Sequence, residues 1–181
     1  MGDEAQEHIS IPARVRELVA ERPDEVVWRF VSVDGSEATF TWAELDRRTS
    51  QLAGALAERG LGVGDRLGIG LRNSPPFVLA VYAAWKLGAI PVPMRWDLPP
   101  WELDRLREAI DGTVHLGDED VEWIGATAED EVPELPDVVA PRTNGICSSG
   151  STGLPKVIIS NRPGVFNPAL TIPIAEGWGP V

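Results

Sequence analysis

Nine consecutive residues gather more polar chemistry than any other short stretch of the chain: Ser148-Ser149-Gly150-Ser151-Thr152-Gly153-Leu154-Pro155-Lys156. Four hydroxyls (Ser148, Ser149, Ser151 and Thr152) and the backbone N–H groups among them can donate to anionic oxygens. Gly150 and Gly153 admit positive φ and let the backbone approach a ligand closely, which a Cβ would prevent. Lys156 adds a compact charge that meets a phosphate as a point cation. Each charge-assisted hydrogen bond contributes roughly 1.5–3 kcal/mol, so three or four suffice to hold a polyphosphate. The plainer account of such a run is a Gly/Ser turn. Against it stand Val157-Ile158-Ile159, whose β-branched side chains predict a strand entered directly from the loop.

A Walker A loop needs Gly before its Lys, Ser or Thr after it, and a helix beyond. Here Pro155 and Val157 flank Lys156, and that reading is excluded. SSGSTGLPK instead resembles the phosphate-binding signature of the adenylate-forming enzymes, the superfamily of acyl-CoA synthetases, luciferases and peptide-synthetase adenylation domains. Members commonly place Gly after the Lys and an aromatic residue two positions before the central Ser-Gly pair; this chain has Val157 and Cys147 there.

The resemblance spans about residues 12 to 170 and implies the first portion of the large N-terminal AMP-binding domain of such enzymes, with residues 1–181 an incomplete copy of it. It implies that Ser148, Ser149, Gly150, Ser151, Thr152, Gly153 and Lys156 bind the phosphates of ATP. It also implies Mg2+, whose ligands lie outside this sequence, and coenzyme A as co-substrate. The implied reaction, with a place in fatty acid metabolism, begins with attack of a carboxylate on the α-phosphorus of ATP. A thiol then takes the acyl group from the adenylate. In complete members the adenine, ribose and acyl sites and the adenylation lysine come later in the chain. Three readings follow: part of a carboxylic acid–CoA ligase, an adenylation module serving a carrier protein, or a non-catalytic truncated fragment or interaction module. The last would self-associate or take up a complementing chain through uncovered sheet edges.

The elements that must hold the loop are legible in the pattern. Val15, Leu18 and Val19 fall at helical spacing between Pro12 and Pro23. Asp34-Gly35 splits Val26–Phe40 as a hairpin, with Trp28 and Phe30 on one side and Val27, Val31 and Val33 largely on the other. Thr41-Trp42-Ala43-Glu44 reads as a capping box, and Leu45, Thr49, Leu52, Ala53 and Leu56 mark one helix face up to Gly60. Then strands and helices alternate. Residues 66–71, 89–93 and 113–116 read as strands. Ser74-Pro75 opens a helix buried through Phe77, Val78, Val81, Ala84 and Trp85, and a second helix runs over 100–110. Such alternation predicts a partly parallel sheet flanked by helices, an α/β fold. Gly68-Ile69-Gly70 is not a dinucleotide fingerprint, because the third position is Asn73 and the glycines lie inside a strand. Residues 117–138 are acidic without a basic residue, and read as a solvated loop around a short strand at Val121–Ile124. Residues 144–147 and 157–160 then place a strand on each side of the glycine loop. Trp96 and Trp101 read as packing groups, or as pocket walls past the end of the second strand.

Composition bounds the rest. The 181 residues are 43% hydrophobic and 24% charged, sufficient for one domain with a true core. A net charge of −12 disfavours nucleic acid as a partner. One cysteine precludes an internal disulfide and suits a reducing cytoplasm, and His8 and His115 show no zinc spacing. The acidic start, Met1-Gly2-Asp3-Glu4, is unlike a signal peptide. The apolar stretch 77–94 contains Lys86, Gly88 and two prolines and does not read as a membrane span.

Overall fold

The structure, a computed structural model, describes residues 9–148 and 156–166. Helix α1 (Ile11–Glu21) starts where Ser10 Oγ accepts the Ala13 N–H at 3.0 Å, and it buries Val15 and Leu18. Residues just before and within its first turn are tied to a distant segment. Ser10 bridges Val165, Ile11 N–H donates to Gly164 O at 3.1 Å, and Phe166 N–H donates to Ile9 O at 2.9 Å.

Strands β1 (Val26–Val31) and β2 (Glu37–Thr41) form the expected antiparallel hairpin, with Gly35 at φ 82° supplying the left-handed turn residue. The predicted sides hold for Trp28 and Phe30, whose rings stack at 6.2 Å on one side, and for Val31, which is exposed on the other. Val27 departs and packs on the core with Phe30. A shift of register between Val26 and Trp28 is the cause: the irregularity breaks the alternation of sides at Val27.

At Thr41 the capping box is complete. Glu44 N–H donates to Thr41 Oγ1 at 3.2 Å and Thr41 N–H donates to Glu44 Oε2 at 2.9 Å. Helix α2 (Trp42–Glu58) follows, and all five residues of its predicted apolar face are buried. The Thr49 hydroxyl is satisfied within the helix by Leu45 O at 2.7 Å.

The parallel core comes next. Strands β3 (Arg66–Ile69), β4 (Ile90–Pro93) and β5 (Val114–Leu116) pair in the order β4-β3-β5, all parallel, connected through α3 (Pro75–Lys86) and α4 (Pro100–Ile110). Residues alternate between the two sheet faces. Leu67, Ile69, Val114 and Leu116 join α2 and α3 in one buried cluster, whereas Ile90, Val92 and Met94 join Leu106 and Ile110 of α4 in another. Helices therefore flank a partly parallel sheet, as the alternation predicts.

Two expectations are corrected here. Helix α3 buries Val78, Leu79, Ala80, Ala83 and Ala84, while Phe77, Val81 and Trp85 stay half-buried. A helix apolar on nearly every side carries no periodic signal to set its phase, and the alanines let α2 approach. Residues Val121–Ala126 form a short helix, α5, between 3₁₀ turns at Asp118–Asp120 and Thr127–Glu129; they are not a strand. The turn before it is set when Asp120 Oδ2 accepts the Gly117 N–H at 3.0 Å, and a helical phase then sends Ile124 into the core.

Candidate functional site: the loop-bearing hairpin

The last paired elements are β6 (Gly145–Ser148) and β7 (Lys156–Ile159), antiparallel, in register from Gly145↔Ile159 to Ser148↔Lys156. The two described members of the sequence-predicted site, Ser148 and Lys156, thus oppose each other at the mouth of the loop. The other predicted members, Ser149, Gly150, Ser151, Thr152 and Gly153, lie outside the described residues.

Alternation decides which side the mouth presents. Cys147, Val157 and Ile159 pack against the Ile90–Val92–Leu106 cluster, while Ile146 and Ile158 are exposed at 52% and 54%. Ser148 and Lys156 share that outward face, with Ser148 half-buried and Lys156 exposed. Burial of the inner face pushes the Cys147 thiol above its usual range, so it stays protonated and unreactive near neutrality.

Residues assigned no role at the site by the sequence hold the hairpin in place. Gly145 brings β6 close to β4: a Cβ there would lie 2.8 Å from Ile159 Cδ1 and 3.0 Å from Val92 Cγ2. Below it the ladder continues through Ser160 N–H to Asn144 O (2.9 Å) and Thr143 N–H to Arg162 O (2.7 Å). The Thr143 hydroxyl lies 2.7 Å from Pro163 O, and the Thr143 carbonyl accepts the indole N–H of Trp85 at 2.7 Å. A glycine inside a strand is the one sequence signal that marks this close approach.

Trp96 and Trp101 are not packed inside. They are 47% and 61% exposed, Arg72 lies over the Trp96 ring at 4.0 Å and Arg105 over Trp101 at 5.5 Å. Arg72 also meets Asp118 at 3.2 Å, so this aromatic–guanidinium pair is balanced by a carboxylate. A second polar centre is structural. Lys86, 7% exposed, donates to Asp46 Oδ1 (2.6 Å), Asp46 O (3.1 Å) and Ser50 Oγ (2.7 Å), which uses all three of its protons. Burial lowers its pKa and the bond to Asp46 opposes that shift. Among the described residues no three His, Cys, Asp or Glu side chains are grouped to hold a metal ion, and no helix is long and apolar enough to cross a membrane.

A parallel sheet between helices, with a separate antiparallel hairpin packed against it, is a fold shared with the N-terminal subdomains of adenylation enzymes. The chain belongs to the AMP-binding enzyme family, whose model matches residues 15–178. It is 29% identical over 122 residues to YdaB of Bacillus subtilis (strain 168), a candidate acyl–CoA ligase; the match covers 67% of this chain and 22% of that protein. Among solved structures, VinN in complex with 3-methylaspartate shares the fold at a TM-score of 0.75 and 20% identity, over 94% of this chain and 52% of its own. The artificially fused adenylation–PCP di-domain NpsA–ThdA from Klebsiella oxytoca does so at 0.68 and 23%, over 86% of this chain and 33% of its own. The chain thus spans about a fifth of the length of its curated relative, and about half and a third of these two structures.

Proposed function

We propose that residues 1–181 form the opening part of an AMP-binding domain and contribute its ATP phosphate site. That site is built from Ser148, Ser149, Gly150, Ser151, Thr152, Gly153 and Lys156. The observation that carries this reading is the pairing of Ser148 with Lys156 across the mouth of the hairpin, on its outward face. A hydroxyl and a cation there flank a segment rich in glycines and hydroxyls, the residue types that suit phosphate oxygens. The loop's task is electrostatic: fixed donors meet the charge that develops on pyrophosphate as it leaves, and need no reorganisation at that moment. Mg2+ accompanies the nucleotide as part of the substrate, and no residue described here is assigned to it.

In a protein that carries the remaining length of its relatives, the reaction is activation of a carboxylic acid as its adenylate, followed by transfer to a thiol. Coenzyme A is the acceptor in the first reading, in keeping with the likeness to YdaB. A carrier-protein thiol is the acceptor in the second, which the likeness to the NpsA–ThdA di-domain favours. A cytoplasmic setting accords with the single cysteine.

The test is calorimetric titration of ATP and of inorganic tripolyphosphate into the chain and its Lys156→Ala and Gly150→Ala variants. Loss of one charge-assisted hydrogen bond predicts weakening by about tenfold or more. Equal affinities across parent and variants would remove the assignment.

A further inference from the structure

A two-stranded ribbon has little stability of its own, so what aims it is decided elsewhere. The inner face of β6–β7 is held by apolar contacts with β4 and α4, which are non-directional and tolerate sliding. One bond from a side chain of the helical layer is directional: Trp85 Nε1–H to Thr143 O at 2.7 Å. Its donor is well fixed, since α3 is buried along its alanines and the Tyr82 ring stands edge-on to the indole at 5.2 Å. Its acceptor belongs to a residue engaged on both sides, because Thr143 also binds Arg162 O through its N–H and approaches Pro163 O with its hydroxyl.

We propose that Trp85 and Thr143 are positioning residues for the phosphate loop, a clasp that fixes the aim of the hairpin from the core helix α3. The inference rests on the phosphate reading of that loop. Thr143 and Ser148 are five positions apart, about 17 Å of extended chain, so a tilt of about 5° at the clasp displaces the mouth by about 1.5 Å. A misplacement of about 1 Å is enough to cost a site a large part of its effectiveness, up to about 100-fold.

The experiment uses the ¹⁵N-labelled chain, Trp85→Phe (a six-membered aromatic ring kept, the N–H and its five-membered ring removed), Thr143→Val (hydroxyl removed, backbone bonds kept) and inorganic tripolyphosphate as probe. In the parent the Trp85 Nε1–H resonance shifts on titration, a response that a merely structural indole would lack. In Trp85→Phe the amides of β6 and β7 exchange about tenfold faster while those of Leu52 and Leu56 in α2 are unchanged, and tripolyphosphate binds about three- to tenfold more weakly. Thr143→Val moves both readouts the same way by a smaller factor. Hairpin exchange that is unchanged, or that rises equally in α2, overturns the inference, and so does undiminished affinity in Trp85→Phe when the parent binds. Absence of binding by the parent overturns the phosphate reading itself, and this inference with it.

Discussion

Gly145→Ala puts one methyl group where β6 meets β4, and the geometry gives its cost. The new Cβ would sit 2.8 Å from Ile159 Cδ1 and 3.0 and 3.2 Å from the two Val92 methyls, all closer than ordinary carbon contact. The Ile159 atom ends a flexible side chain and can rotate away. Val92 is fully buried and β-branched, with its χ1 restricted, so β6 must lift instead. Overfilling a packed seat costs about 1–3 kcal/mol. At about 2–4 °C per kcal/mol for a chain of this size, the thermal midpoint should fall by about 2–12 °C. Calorimetry measures that fall, and a double-mutant cycle with Val92→Ala tests its origin. Removing the Val92 methyls is itself destabilising, but in the Gly145→Ala background it also relieves the collision, so the two changes should couple by at least about 0.5 kcal/mol. Strict additivity, or a Gly145→Ala chain as stable as the parent, would refute the close approach as the reason for glycine at this position.

Other expectations concern the polar groups. Asp46→Ala strands the Lys86 ammonium and should cost about 1–3 kcal/mol, below the range for fully buried pairs because the Asp46 side chain is 27% exposed. Lys86→Met should be close to neutral, and equal losses for the two in urea titrations would contradict this account. His115 packs its ring over Gly68 beside Arg107; burial first, then the Arg107 charge, lowers its pKa from 6.5. The unfolded chain therefore binds a proton more readily there, and stability should decline as pH falls below about 6.5. Urea midpoints at pH 7.5 and 5.5 for parent and His115→Asn check this, with the pH-dependent loss reduced in the variant. Thr41→Ala removes half of a complete capping box and should cost about 1 kcal/mol, read from the same titrations.

What the sequence disclosed, it disclosed through local chemistry. The Thr41–Glu44 cap, the Asp34-Gly35 turn and the run of 100–110 each carry a short-range signal, and all three stand where expected. The errors share a different cause, tertiary context. The register shift near Val27 depends on what the hairpin packs against, and the phase of α3 depends on which side α2 approaches. Residues 121–124 have β-branched content, but the turn capped by Asp120 leads into a helical phase that satisfies their backbone instead. Trp96 and Trp101 stay exposed with guanidinium groups over their rings, Arg72 from 24 positions earlier in the first case and Arg105 from one turn along α4 in the second. At the site, residue types marked the loop, but its supports at Trp85 and Thr143 are 58 positions apart, and nothing in either neighbourhood points to the other.

The bridge between Ser10 and Val165 has a consequence for assembly during synthesis. Its partners lie about 150 residues apart, and at a ribosomal rate of about 5–20 residues per second Val165 emerges roughly 8–30 s after Ser10. Through that interval α1 has its own cap but not its strand-like tether, and a helix of 11 residues is marginal alone. The units that close over short spans, β1–β2 and the β3–α3–β4 crossover, can form before that tether does. Helix α1 can pack Val15 and Leu18 before then, but its backbone tether is among the last contacts to form.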